Sequence, residues 1–206
     1  AEPGGDTRTN LGRAGPHHEM KGAVNMVAIL LGTGFEEGEA IVPADLLRRA
    51  GVEVALVGLT GRQVVSSHNI TVTADLTLGE LDRDQVEMLM LPGGLGGVEA
   101  ISSDVRAQAL IQYCYDHGRW LAAICAAPTI LANLGMLDRR NAVCYPGMED
   151  LMGSAVVQKG TGVVVDGHIV TGEAAGSAFP FGLKLVEILK GAEAAAQVKH
   201  AVHYHG

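Results

Sequence analysis

Aromatic side chains are scarce in this sequence: one Trp, four Tyr and three Phe in 206 residues. A core of this size must then be built from Val, Ile, Leu and Ala, which suits a single α/β domain with tight turns at its 28 glycines. Cysteine is scarcer still, at three. An odd number in a chain of this length argues against a disulfide framework and for a reducing, cytoplasmic compartment. Positive charge is also short. Fifteen Lys and Arg stand against 23 Asp and Glu, for a net charge of −8, and no basic stripe occurs. Nucleic acid and anionic membrane surfaces are therefore poor partners. No apolar run approaches the ~20 residues of a membrane span.

Residues 1–22 differ from the rest. They carry Gly, Pro, Arg, Asn and two His with almost no large apolar side chains. Such a segment cannot bury enough surface to order itself, and it lacks the apolar core of a secretory signal. It reads as a flexible leader or appended remnant before one domain over 23–206.

From Val24 onward, apolar runs alternate with helical periodicity. Strands are expected at Val24–Leu31, Val52–Gly58, Val86–Leu91 and Trp120–Ile124, with short ones at Val64–Val65 and Ile70–Val72, read as a hairpin around Ser66-Ser67-His68-Asn69, and at Val143–Tyr145. Asp166-Gly167, between Val163–Val165 and Ile169–Val170, signals a hairpin. Helices are expected over Glu37–Ala50, Val98–His117, Thr129–Leu134, Gly176–Leu189 and Ala192–His200. This order implies a mostly parallel sheet with helices on both faces, and ligands in such sheets bind beyond the carboxyl ends of the strands. Gly34-Phe35-Glu36-Glu37, Pro92-Gly93-Gly94 and Cys125 should meet there.

Cys125 lies where a buried strand turns at once into a helix. A nucleophile elbow needs small residues two positions to either side, and Ala123 and Ala127 supply them. Free amides at the helix start lower a thiol's pKa and can hold an oxyanion. An ordinary buried cysteine would suit the same position. Glu36 and Glu37 open a helix, where carboxylates gain from the dipole. A Glu37 lying beside Cys125 in a dry pocket would instead hold a proton and donate it toward the thiolate. Gly93-Gly94 reads as a tight turn, or as a source of an N–H that joins Ala126 in an oxyanion hole. His200, His203 and His205 have the look of a metal-ligand cluster but read better as a polar tail, with no cysteine or carboxylate at a spacing that completes a metal site. Leu95-Gly96-Gly97 has no Walker lysine or dinucleotide fingerprint after it.

Taken together, Gly34-Phe35-Glu36-Glu37, Ile41-Val42-Pro43-Ala44-Asp45, Arg48-Arg49-Ala50-Gly51, Leu91-Pro92-Gly93-Gly94, Ala122–Pro128 and Ala195–Lys199 resemble the DJ-1/PfpI superfamily, and within it the DJ-1-like (ThiJ-type) branch. The resemblance runs in one register from about Met26 to Lys199. It implies a flavodoxin-like sandwich of the class I glutamine amidotransferase type, a homodimer, and a reactive cysteine that needs no cofactor or metal. It assigns Cys125 as nucleophile, Glu37 as its protonated partner, and Gly94 and Ala126 as oxyanion donors. Gly93, Tyr145, Pro146, Glu173 and Ala175 would border the pocket, with Asp45 and Arg49 near the site and the dimer interface.

Two departures stand out. Relatives commonly have histidine where this chain has Tyr145, and arginine and proline where it has Glu173 and Ala175. The charge reversal at Glu173 disfavours an anionic substrate. Ala126 occupies the place of the histidine in the protease-like branch, which argues against a Cys–His protease. The activity implied is that of a cofactor-independent glyoxalase, or a deglycase, acting on small reactive carbonyls. The alternatives are a redox sensor or chaperone that uses the same cysteine, or another Cys-dependent hydrolase or hydratase. Cys144 is a candidate resolving cysteine and Cys114 a structural one.

Overall fold

The computed structural model describes residues 26–206, so the expected leader over 1–22 and the start of the first strand lie outside the described residues. In chain order the elements begin with β1 (Met26–Leu31), α1 (Glu37–Arg49), β2 (Glu53–Gly58), β3 (Gln63–Val65), β4 (Thr71–Thr73) and β5 (Leu76–Thr77). They continue with β6 (Val86–Leu91), α2 (Leu95–Ser103), α3 (Val105–Asp116), β7 (Trp120–Ile124), α4 (Pro128–Asn133), β8 (Asn141–Ala142) and β9 (Val156–Val157). Last come β10 (Val163–Asp166), β11 (Ile169–Gly172), α5 (Ala178–Lys190) and α6 (Ala192–Ala201).

Seven strands form the main sheet in the order β10-β11-β7-β6-β1-β2-β5. Every pairing in it is parallel except β10 with β11, which is the hairpin expected at Asp166-Gly167. β3 and β4 pair separately as an antiparallel hairpin. This is the flavodoxin-like architecture.

The period of two along a strand sorts side chains onto opposite faces. In β1, Met26, Ala28 and Leu30 join a core that includes Ile101, Leu110, Ile111 and Leu131 from α2, α3 and α4. Val27, Ile29 and Leu31 join another that includes Leu46, Leu47, Phe181 and Leu185 from α1 and α5. A strand covered on both faces has no polar alternation, which is why these strands read as unbroken apolar runs. Phe35 and Phe181 are fully buried in the second core, and each contributes about 1.5–3 kcal/mol through apolar burial.

Two expectations are corrected. The helix expected over Val98–His117 is two helices, broken at Asp104. That residue is extended (φ −94°, ψ 114°), and its carboxylate accepts from the Arg106 and Ala107 amides, so it caps α3. The strand expected at Val143–Tyr145 is not a strand. The Val143 amide donates to Thr171 Oγ1 and the Tyr145 amide to the Cys125 carbonyl, so neither joins a ladder and the second serves the site.

The chain leaves β1 toward β2 on one side and returns to β6 on the other. The strand order therefore reverses between β1 and β6, where crevices form in such sheets.

Candidate active site

Cys125 follows the last residue of β7 and adopts φ +67°, a conformation that side chains other than glycine rarely take. Such a residue costs on the order of 1–3 kcal/mol and persists only where its surroundings hold it. Here both backbone groups are held. The Cys125 amide donates to Gly172 O at 2.9 Å, and its carbonyl accepts from Tyr145 N at 2.7 Å. The turn aims the half-buried thiol into a cavity, and the Ala126 and Gly94 amides both reach the sulfur. The expected elbow and the two expected donors thus come together.

The carboxyl beside the sulfur belongs to Glu39. Its Oε1 accepts from the Gly93 amide at 2.9 Å, while Oε2 is buried with no conventional partner. Its side chain is fully buried, and burial is the main cause that raises its pKa to about 7. Hydrogen bonds from Cys125 and Gly93 oppose the rise, and the charge of Glu36 adds to it. Burial also raises the Cys125 thiol, to about 12, and the charge and hydrogen bonding of Glu39 raise it further. The Ala126 and Gly94 amides pull it the other way. The two groups therefore share protons as a pair. When Glu39 holds the proton its repulsion disappears, and its O–H becomes a third donor toward a thiolate.

Glu37, expected in this role, does not fill it. Its carboxylate meets the tip of the β3–β4 hairpin, with Oε2 accepting from Ser67 Oγ at 3.0 Å and Oε1 lying 2.8 Å from His68 Nδ1. Slight burial raises its pKa, but its own amide, the Ser67 hydroxyl and His68 outweigh this, so it stays below its usual value and ionised. The physical reason is helical geometry. Two residues at about 100° each turn a side chain to nearly the opposite face.

Glycines allow the close approach of these loops. A Cβ on Gly93 would lie 2.5 Å from Glu39 Oε1 and 2.7 Å from Cys125 Cβ. Gly94, at φ +87°, places its amide toward the sulfur where a side chain would strike Gly34 and Glu36. The cavity has a volume of about 630 Å³. Tyr145, Pro146 and Ala175 line it as expected, and Glu36, Leu95 and Met148 join them.

The sequence matches the profile of the DJ-1/PfpI family over residues 25–188. The chain belongs to the DJ-1/PfpI family. It is 36% identical to the protein dj-1beta of Drosophila melanogaster over 172 residues, which is 82% of this chain and 92% of that protein. A deglycase of Pyrococcus abyssi is 31% identical over 165 residues, or 80% of this chain and 99% of that one. The crystal structure of Drosophila DJ-1beta superposes with a TM-score of 0.83 at 34% identity and covers 89% of this chain and 100% of that chain. Oxidised Toxoplasma gondii DJ-1 superposes with 0.84 at 30% identity and covers 88% and 100%.

Other residues of this DJ-1/PfpI member sit off the cavity wall. Gly93 lies behind it, between Glu39 and Cys125. Glu173 does not line it, and its charge acts on the Cys144 thiol. That thiol is raised to about 11 by burial and by Glu149 and Glu173. Asp45 and Arg49 pair with each other at 2.9 Å on an exposed face of α1. Among the described residues, the donor atoms that gather closely enough to hold a metal ion are those of Glu36, Glu37 and His68, all within 4.8 Å of one another. Ser67 Oγ sits among them, within hydrogen-bond distance of all three. No helix among the described residues is long and apolar enough to cross a membrane.

Sequence reading missed Glu39, Glu36 as a wall residue, and the contact of the Ser67–His68 tip with Glu36 and Glu37. Glu39 carried a readable signal. It shares the buried face of α1 with Pro43, Leu46 and Leu47, so it is a charge at a core position of the helix.

Proposed function

We propose that this protein converts small α-oxo aldehydes to 2-hydroxy acids without a cofactor, with Cys125 as nucleophile and Glu39 as general acid and base. The observation that carries this reading is the Glu39 carboxyl. It is fully buried, its pKa lies near neutrality, and it sits against a cysteine that faces a cavity. The deglycase among its relatives is consistent with carbonyl chemistry at this site.

The steps balance without an external oxidant. With Glu39 holding the pair's proton, the Cys125 thiolate adds to the aldehyde carbon. The resulting oxyanion is held by the Gly94 and Ala126 amides and becomes a hemithioacetal when Glu39 gives it the pair's proton. Glu39, now ionised, removes the proton from that carbon, and the electron pair flows toward the neighbouring ketone as an enediol. Protonation of the second carbon, with loss of the proton from the first carbon's hydroxyl, leaves a thioester of the 2-hydroxy acid. Water then cleaves the carbon–sulfur bond, releasing the acid and restoring the thiol. Overall, one water is consumed, the aldehyde carbon is oxidised and the ketone carbon is reduced.

Methylglyoxal consumption with lactate detection tests this. Stoichiometric lactate from the wild type, lost in Cys125→Ala and in Glu39→Gln, is the expected result. Absence of lactate from the wild type would overturn the reading.

A second reading is supported by the oxidised Toxoplasma relative: peroxide oxidation of Cys125 as a stress response. In this reading the same amides would stabilise sulfur-bound oxygen. Rapid oxidation at Cys125 without turnover would favour it.

A further inference from the structure

The charges around the cavity are of one sign. Among the described residues, the charged side chains on its wall are Glu36 and Glu39, and no lysine or arginine lines it. The remaining wall is apolar or neutral, with Leu95, Tyr145, Pro146 and Met148 prominent.

Glu36 is fixed in place rather than free to swing away. Its Oε1 accepts from the Gly38 amide at 3.3 Å, and its Oε2, 3.1 Å from Ser67 Oγ, shares that hydroxyl's single proton with Glu37. Its charge is felt at the reacting pair, where it contributes to holding the proton on Glu39. Glu37 adds a second carboxylate behind it. His68, 3.6 Å from Glu36 and 2.8 Å from Glu37, is one imidazole facing two carboxylates. Lys159 stands 3.9 Å from Glu149 and is not on the wall. An anionic ligand entering this space would lose hydration and meet no counterion. A cationic one would meet a preoriented carboxylate.

We propose that this site selects carbonyl substrates by charge, accepting neutral and cationic α-oxo aldehydes and rejecting anionic ones, with Glu36 as the specificity-determining residue. For its substrate class this rests on the function proposed above, but the selectivity can be read without turnover.

The test uses the full chain and two methanethiosulfonates of similar size, one bearing trimethylammonium and one bearing sulfonate. In both, the Cys125 thiolate attacks the sulfenyl sulfur, forms a disulfide and expels methanesulfinate. Rates at Cys125 are followed by peptide mass spectrometry and normalised to 2-mercaptoethanol, a neutral thiol. The cationic reagent is expected to be favoured at least ~10-fold. The ratio should shrink at least ~3-fold in Glu36→Gln and also in the wild type at 1 M salt, a readout that needs no variant. A normalised ratio within ~2-fold of unity would overturn the proposal.

Phenylglyoxal and its 4-carboxylate and 4-trimethylammonium derivatives provide the turnover arm. Mandelate formation should fall in the order cationic, neutral, anionic, and Glu36→Gln should compress that order whatever it does to absolute rates. Equal turnover of all three removes the selectivity and leaves the glyoxalase reading intact. No turnover of any, together with no lactate from methylglyoxal and with the reagent ratio standing, removes the glyoxalase reading and leaves the selectivity.

Discussion

Glu37 and Glu39 stand two residues apart on α1 and serve different partners: Glu37 faces Ser67 and His68, and Glu39 faces Gly93 and Cys125. Their environments divide them further, since burial lifts one carboxyl toward neutrality while hydrogen bonds and an imidazole keep the other ionised.

Activity should divide them in the same way. Glu39→Gln is expected to lower methylglyoxal turnover by about 10²–10⁴-fold, the range typical of losing a general acid–base group. Glu37→Gln should stay within about 5-fold of the wild type. Lactate production by both purified variants checks the assignment, and equal losses would return Glu37 to the mechanism.

The pH dependence of Cys125 alkylation should report a coupled pair. With iodoacetamide, reactivity is expected to rise through a first step near neutrality, where the pair loses its first proton, and again at high pH, where the second leaves. Glu39→Gln should show a single step. Two steps surviving in Glu39→Gln would mean that another group titrates with the thiol.

Stability should respond with a definite sign. Glu39 has a pKa near 4.5 when unfolded and about 7 when folded. A raised pKa favours folding fully below the unfolded value, and that contribution is lost as pH rises through 4.5 to 7. Glu39→Gln mimics the protonated acid. It should match the wild type near pH 4 and exceed it at pH 8 by up to about 3 kcal/mol. Urea melts at the two pH values measure the difference.

Gly93→Ala should damage fold and chemistry together. The added Cβ has no room between Glu39 Oε1 and Cys125 Cβ, and overpacking of this kind costs about 1–3 kcal/mol. The variant should melt at lower urea and lose the near-neutral step in Cys125 alkylation. A melt unchanged from the wild type would show that the loop yields freely.

Much of this was legible in the sequence because parallel strands buried on both faces leave unbroken apolar runs, and because a cysteine between a strand and a helix with alanines two positions away marks an elbow. The Asp166-Gly167 hairpin and the short hairpin holding His68 were legible from turn chemistry. The break at Asp104 was not, since apolar periodicity continues through it and the cap is a side-chain event. Val143–Tyr145 has strand composition, yet its amides answer to Thr171 and Cys125, partners 28 and 20 residues away that no local pattern reveals. Glu39 was overlooked for a different reason. Glu37 has the more prominent place in the motif, and only the turn of the helix separates the two.

The thiol's setting is borrowed from distant parts of the chain: Glu39 from α1, Gly93 and Gly94 from beyond β6, and Gly172 from the end of β11. None of these neighbours exists until four parallel strands have taken their order, so a nascent or misassembled chain carries three unremarkable thiols. The tuned reactivity of Cys125 thus requires all four strands in place. It makes the sulfur a built-in gauge of whether the whole sheet has assembled, readable in a crude lysate by a single labelling reagent.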